Sequence, residues 1–240
     1  MMETLYGTHP VREALKAGRR DCQRLFVEKR KPSPRLKQIL RLAESRGVPA
    51  EHVGEDRIAK ISGTALHQGI CLEVGPYPLE NFHDLLQSSP DFLLLLDQIV
   101  DPNNLGAILR TALCAGVDGV IISKDRAAGP LPSVSRASAG ALEHIRLTRV
   151  VNMASTIKTL KKEGFWIFGA DADGQTSVFS VDWTAKIGIV IGGEGKGVRM
   201  LVKKNCDALV KIPLKGPVQS LNASAASAVI LYEAARRRGL

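Results

Sequence analysis

Cysteine is scarce and scattered in this sequence: Cys22, Cys71, Cys114 and Cys206 lie far apart, with no C-x-x-C pair. That spacing supports neither a zinc site nor a disulfide framework, so the thiols are expected to be reduced and mostly buried. The five histidines, His9, His52, His67, His83 and His144, show no metal-ligand spacing, and no metal is expected. Long hydrophobic runs are missing too. The apolar stretch Phe92–Leu96 is far too short to cross a bilayer, and Met1–Arg20 holds no continuous apolar segment of the kind that leads a secreted chain. A soluble, cytoplasmic protein with no membrane partner is the expectation. Acidic residues are the minority: 24 Asp and Glu against 33 Lys and Arg leave a net charge of +9. That balance favours a polyanionic partner, with nucleic acid first.

What is present suffices for a substantial core, since 45% of the 240 residues are hydrophobic. Residues 1–75 alternate short elements: a helix over Pro10–Lys16, a strand over Arg24–Val27, a helix over Pro34–Arg46 and a strand over Ile70–Val74. Residues 76–90 are richer in proline and polar side chains and read as a linker carrying one short helix. From 91 to 240, strands at Phe92–Asp97, Gly119–Ile122, Ile145–Thr148, Phe165–Ala170, Ile187–Ile191 and Ala208–Ile212 alternate with helices at Leu105–Ala115, Ser133–Ala139, Met153–Lys162, Val198–Asn205 and Leu221–Arg238. This alternation predicts an α/β fold with a mostly parallel sheet between helices, in which a ligand sits beyond the carboxyl ends of the strands. Positive charge gathers early, with 12 Lys and Arg against 4 Asp and Glu between Arg12 and Arg46. The clusters Arg19-Arg20 and Lys29-Arg30-Lys31 suit phosphate contact, whereas Arg35, Lys37, Arg41 and Arg46 on a helix equally suit a solvated face.

Two glycine- and serine-rich turns follow apolar strands, Ile187–Gly197 and Ile212–Asn222. Glycine lets the backbone approach a flat ligand, so both turns can offer main-chain N–H and C=O groups to a heteroaromatic ring. As a dinucleotide fingerprint the first turn fails on spacing, and Glu194 would repel a pyrophosphate; as a P-loop it fails because Val198 and Arg199 follow Gly197. A nucleotide ligand without phosphates, such as S-adenosyl-L-methionine, avoids both conflicts. A further constellation follows the strand ending at Asp97: Asn104 is placed to cap the next helix, and Arg110 lies six residues on. Asp97 and Asp101 are read as shaping this strand-to-helix turn rather than as paired catalytic carboxylates.

Three blocks together carry a resemblance. Asn104-Leu105-Gly106 with Arg110, Ile191–Gly197, and Ile212-Pro213-Leu214 with Ser220–Ser224 resemble the three signature motifs of the SpoU (TrmH) family of RNA 2′-O-ribose methyltransferases, in the SPOUT superfamily. Tyr6–Val11 and His67–Ile70 resemble parts of the small ribosomal-protein-like RNA-binding domain found in front of these enzymes. The resemblance implies an RNA substrate-binding domain over 1–75 and a SPOUT methyltransferase domain over 91–240 with a deep trefoil knot. It also implies a homodimer whose sites borrow from both subunits; small residues on the last helix, Ala223, Ala225, Ala226, Ala228 and Ala234, suit either close packing in a knot or a dimer interface.

By the same resemblance, S-adenosyl-L-methionine is held by main-chain groups around Gly192, Ile212 and Leu221, with Leu214 and Ser220 as further lining. Arg110, Asn104, Glu194 and Asn222 are the expected catalytic group. A guanidinium keeps its proton to above about pH 12 and has no acceptor, which favours an electrostatic role for Arg110 over general base. Glu194 is expected to hold Arg110 or an asparagine side chain, Asn104 to position Arg110 or the ribose, and Asn222 to cap the last helix while reaching the ribose. The implied substrate is a guanosine of bacterial 23S ribosomal RNA. Another ribosomal nucleotide or tRNA is the alternative, and a non-catalytic RNA-binding assembly factor is the second.

Overall fold

Phe92–Asp97 (β5) is buried at every position, which is what an apolar run without alternation does when helices cover both faces of a parallel sheet. In this computed structural model, which describes residues 2–31 and 33–239, β5 lies inside a seven-stranded sheet. Its neighbours are Gly119–Ser123 (β6) on one side and Ile187–Gly192 (β10) on the other. Leu147–Val150 (β7) continues beyond β6, while Trp166–Ala170 (β8), Ala208–Lys211 (β11) and Thr176–Ser177 (β9) continue beyond β10. Every pairing is parallel, as predicted, so the carboxyl ends of all seven strands share one edge. One face packs Leu93, Leu95, Ile121, Ile167 and Val190 against Ile157 and Leu160 of the helix Met153–Lys162.

The chain divides into two compact units. The sheet belongs to the unit of Leu79–Gly129 and Ile145 onward; the other comprises the residues up to Pro78 together with Pro130–His144. The latter holds a four-stranded sheet of Glu3–Tyr6 (β1), Ile70–Val74 (β4), Cys22–Glu28 (β2) and Ala50–Val53 (β3), in that spatial order. Its core joins Leu5, Leu25 and Leu72 to Val11 and Leu15 of the helix Thr8–Ala17 (α1) and to Ile39 of Pro34–Ser45 (α2). His67 is buried and its Nδ1 accepts the Gly69 N–H at 3.0 Å, closing the turn into β4.

Pro130–His144, within the C-terminal range of the sequence, folds with this smaller unit through a buried ion pair. Arg20 Nε donates to Glu143 Oε2 at 2.7 Å, and Ser135 Oγ donates to Glu143 Oε1 at 2.7 Å. Tyr77 stacks under the Arg20 guanidinium, 5.1 Å from ring centre, and donates its hydroxyl to the Leu142 carbonyl. Burial pushes the Tyr77 phenol up to about 12.

The thiols correct one expectation. Only Cys71 is fully buried, Cys22 and Cys206 are partly so, and Cys114 is exposed because it closes the outer end of its helix. Burial raises Cys71 and Cys206 to about 12, which keeps both as unreactive thiols. Among the described residues no helix is long and apolar enough to cross a membrane.

Candidate active site

At the carboxyl edge of the larger sheet, β10 runs directly into the first glycine turn. A Cβ on Gly192 would lie 2.0 Å from the Gly197 carbonyl carbon, and one on Gly193 would lie 2.1 Å from the Gln98 carbonyl oxygen. No side chain fits at either position, so the turn closes on its own backbone. The Gly197 N–H donates to the Gly193 carbonyl at 3.0 Å, and the Gly193 N–H donates to the Asp97 carbonyl at 3.0 Å.

This turn and the second one, which follows β11, border a cavity of about 580 Å³, within the range of small-molecule and cofactor sites. All five expected lining residues, Gly192, Ile212, Leu214, Ser220 and Leu221, border it. So do Asp171 and Lys203, an ion pair the sequence reading missed. Burial works to raise the Asp171 carboxyl, but the Lys203 ammonium and the Asp173 backbone N–H outweigh it and hold the group below its ordinary value. The available signal was position alone, since Asp171 is the first residue after β8.

Three of the four expected catalytic side chains meet beside the cavity. Asn104 Nδ2 donates to Glu194 Oε1, and Asn222 Nδ2 donates to Asn104 Oδ1 at 3.1 Å. Asn222 also caps the final helix, Ala223–Arg237 (α9), its Oδ1 accepting the Ser224 N–H at 2.8 Å. Glu194 therefore holds an asparagine, as one of the two expected arrangements had it.

Asn104 does not cap its helix. Pro102–Cys114 (α5) begins two residues earlier, with proline in the first turn and Asp101 as cap, accepting the Asn103 N–H at 2.9 Å. That releases the Asn104 amide for the relay. Asp97 has a larger role than shaping the turn: fully buried, it accepts from the Arg199 backbone N–H and guanidinium and from Ser123 Oγ. This clamp fixes the chain just after the glycine turn to the end of β5.

Arg110 stands apart. Six residues past Asn104 on one helix is about 9 Å along the axis and about 240° around it. Its side chain is exposed, does not border the cavity, and makes no hydrogen bond or ion pair among the described residues. No cluster of potential metal ligands occurs among those residues.

Comparison with known proteins gives the family. Residues 91–232 match the family model described as the SpoU rRNA Methylase family, and residues 4–80 match the one described as RNA 2′-O ribose methyltransferase substrate binding. The chain is 37% identical over 242 residues to the 23S rRNA (guanosine-2′-O-)-methyltransferase RlmB of Escherichia coli K12, covering 99% of this chain and all of that one. It is 40% identical over 244 residues to the uncharacterized tRNA/rRNA methyltransferase slr0955 of Synechocystis sp., covering 99% of this chain but only 63% of that relative's length. Among solved structures, the SpoU methyltransferase AviRb of Streptomyces viridochromogenes, in complex with AdoMet, superposes with a TM-score of 0.83 at 25% identity, over 99% of this chain and 90% of that one.

Proposed function

This chain belongs to the SpoU rRNA methylase family, and we propose that it methylates the ribose 2′-hydroxyl of a guanosine in 23S ribosomal RNA, with S-adenosyl-L-methionine as donor. The observation that carries the reading is the relay Glu194–Asn104–Asn222, which joins one side chain from each of three motifs at the edge of the cavity. The 23S target is supported by the end-to-end match to the E. coli enzyme, and the cofactor by the AdoMet complex of AviRb.

The cavity fits such a cofactor in kind. It is bordered by two backbone turns and by the partly exposed Leu214 and Leu221, a combination that takes an aromatic base by its faces and edge. The cofactor, when bound, supplies a methyl group on a cationic sulfur, so the protein's task is alignment and charge stabilisation. Gly192, Ile212 and Leu221 hold it through main-chain groups, with Leu214 and Ser220 as walls. Asn104, held at both ends of its amide, presents a fixed edge to the ribose, and Asn222 reaches the same sugar from its cap. Arg110 anchors a neighbouring phosphate and stabilises negative charge at the 2′-oxygen as its proton leaves. Because Arg110 is remote from its own relay, we assign it to the cavity of a second subunit in a homodimer.

The test is methyl transfer from labelled S-adenosyl-L-methionine to ribosomal RNA and tRNA lacking 2′-O-methylation, with the product mapped. Label on one 23S guanosine ribose, lost in Arg110→Ala, is the expected result. Label confined to tRNA would keep the chemistry and move the target. Cofactor binding without any label would favour an RNA-binding assembly role.

A further inference from the structure

We propose that the loop after β6, Lys124–Gly129, together with Arg149 on β7, is a second RNA-contacting surface, carried by the catalytic unit and gripping phosphates beside the target ribose. This rests on the RNA substrate proposed above. Lys124, Arg126 and Arg149 are all exposed, and none has an ion-pair partner among the described residues. Asp125 is the one carboxylate in the loop and is itself unpaired among those residues. Several cations of the same unit do sit on carboxylates, Arg146 on Glu80, Lys161 on Asp207 and Arg199 on Asp97, whereas among the described residues Lys124, Arg126 and Arg149 do not. Three cations against one carboxylate leave a local excess of positive charge, which suits a polyanion.

The loop is built rather than loose. The Lys124 N–H donates to the Val150 carbonyl and the Ala128 N–H to the Ile99 carbonyl, both at 2.8 Å. Arg149 lies over the loop's far end, where a Cβ on Gly129 would fall 2.7 Å from its Nη2. Arg126 is held at φ 53, a conformation that costs a long side chain about 1 kcal/mol or more.

Position gives the surface its role. Ile99, to which the loop is bonded, sits in the turn between β5 and α5. In that turn Gln98 packs against Gly193 and Asp101 caps the helix that carries Asn104. The cations therefore border the segment that sets the relay, on the side away from β10, since β6 and β7 lie across β5 from it. RNA whose ribose is at the relay has its adjoining phosphates within reach of this rim, and a cationic cofactor would not be drawn there.

The test uses the full-length protein and a fluorescently labelled 23S rRNA fragment, with affinity followed over a salt series. Arg126→Asn suits the loop, because asparagine tolerates the left-handed conformation; Lys124→Gln and Arg149→Gln complete the set. Each variant should weaken RNA binding, and lower the slope of log affinity against log salt by about 0.7–0.9 per lost phosphate contact. The KM for RNA should rise, with kcat and S-adenosyl-L-methionine affinity near wild type, and Arg126→Lys should recover most of the loss. Unchanged affinity and slope in all three variants would overturn the proposal, as would a wild-type protein that binds no RNA. A wild type that binds RNA without methylating it fails the reaction instead, and the salt slopes still decide whether this surface is real.

Discussion

Asn222 donates its side-chain N–H to the Asn104 carbonyl oxygen at 3.1 Å across 118 positions of sequence. The same Asn104 amide donates to Glu194. One amide thus fixes the start of α9 and the glycine turn relative to α5, and its orientation is decided by partners at both ends. Asn104→Ala returns a donor on Asn222 and an acceptor on Glu194 to water, since both side chains are exposed, a cost of about 0.5–1.5 kcal/mol. Methyl transfer should fall roughly 2- to 10-fold by the same energy. Asn104→Asp should be worse at neutral pH, because two carboxylates then face each other, and should recover partly on mild acidification. Single-turnover transfer across a pH series separates the two variants. Equal activity in Asn104→Ala and wild type would remove the relay from the mechanism.

Gly192→Ala should abolish cofactor binding before it unfolds the protein. The added methyl would lie 2.0 Å from backbone carbon, so the turn must open, whereas β10 keeps its ladders to β5 and β8 through Ile187–Val190. Calorimetric titration should show loss of S-adenosyl-L-methionine binding, with thermal stability lowered by about 1–3 kcal/mol. Gly195→Ala is the internal comparison: nothing lies within 4 Å of its Cβ, but its φ of 79 makes alanine strained for backbone reasons alone. Binding retained in Gly192→Ala would mean that the turn adapts.

How far the sequence could be read follows from how local each feature is. Phe92–Leu96 announces a buried parallel strand by composition alone, and Asn222 before an Ala- and Ser-rich stretch announces a helix cap. The start of α5 was misread because Asn104 looks like a cap, although Pro102, a first-turn residue by preference, already pointed to Asp101. β1 and β3 went unseen because each short segment carries adjacent polar side chains, Glu3 and Thr4 or Glu51 and His52, without the apolar run that marks β11. The Glu194–Asn104 bond was one of two open possibilities, and only tertiary structure chose between them. Asp171 with Lys203, and Arg20 with Glu143, belong to segments that meet only on folding, so neither pair leaves a local signal.

The Arg20–Glu143 pair spans 123 positions and shows how tightly Pro130–His144 is tied into the smaller unit. Both side chains are 1% exposed, and removing Glu143 leaves the buried Arg20 guanidinium with the part-buried Glu3 as its remaining carboxylate. Glu143→Leu alone should cost about 3–5 kcal/mol, while Arg20→Met with Glu143→Leu should cost far less, since desolvation of the pair offsets much of its attraction. Arg20 also donates to Glu3 and to the Gly75 carbonyl, so the double variant retains some loss. Urea unfolding of the single and double variants measures the difference. A double variant as unstable as the single would show that the charges themselves hold the segment.

Asp171 offers a pH-dependent signature of the cavity wall. Its carboxyl is held below the ordinary 3.8: burial pushes it up, and the Lys203 ammonium with the Asp173 N–H more than reverses that. A folded value below the unfolded one means that the native state binds the proton less readily. The stabilisation is therefore complete above 3.8 and is lost as the pH falls from there through the depressed native value. Asp171→Asn removes this term at every pH. The stability gap between wild type and Asp171→Asn should be constant from about pH 7 to about pH 5, then narrow as the pH falls below 3.8. Other carboxylates titrate over that range, but they do so in both proteins and cancel in the difference. A gap that holds its full size down to about pH 3 would place the loss in the packing of the side chain, and the Lys203 charge would then be free for the cofactor's carboxylate rather than committed to Asp171.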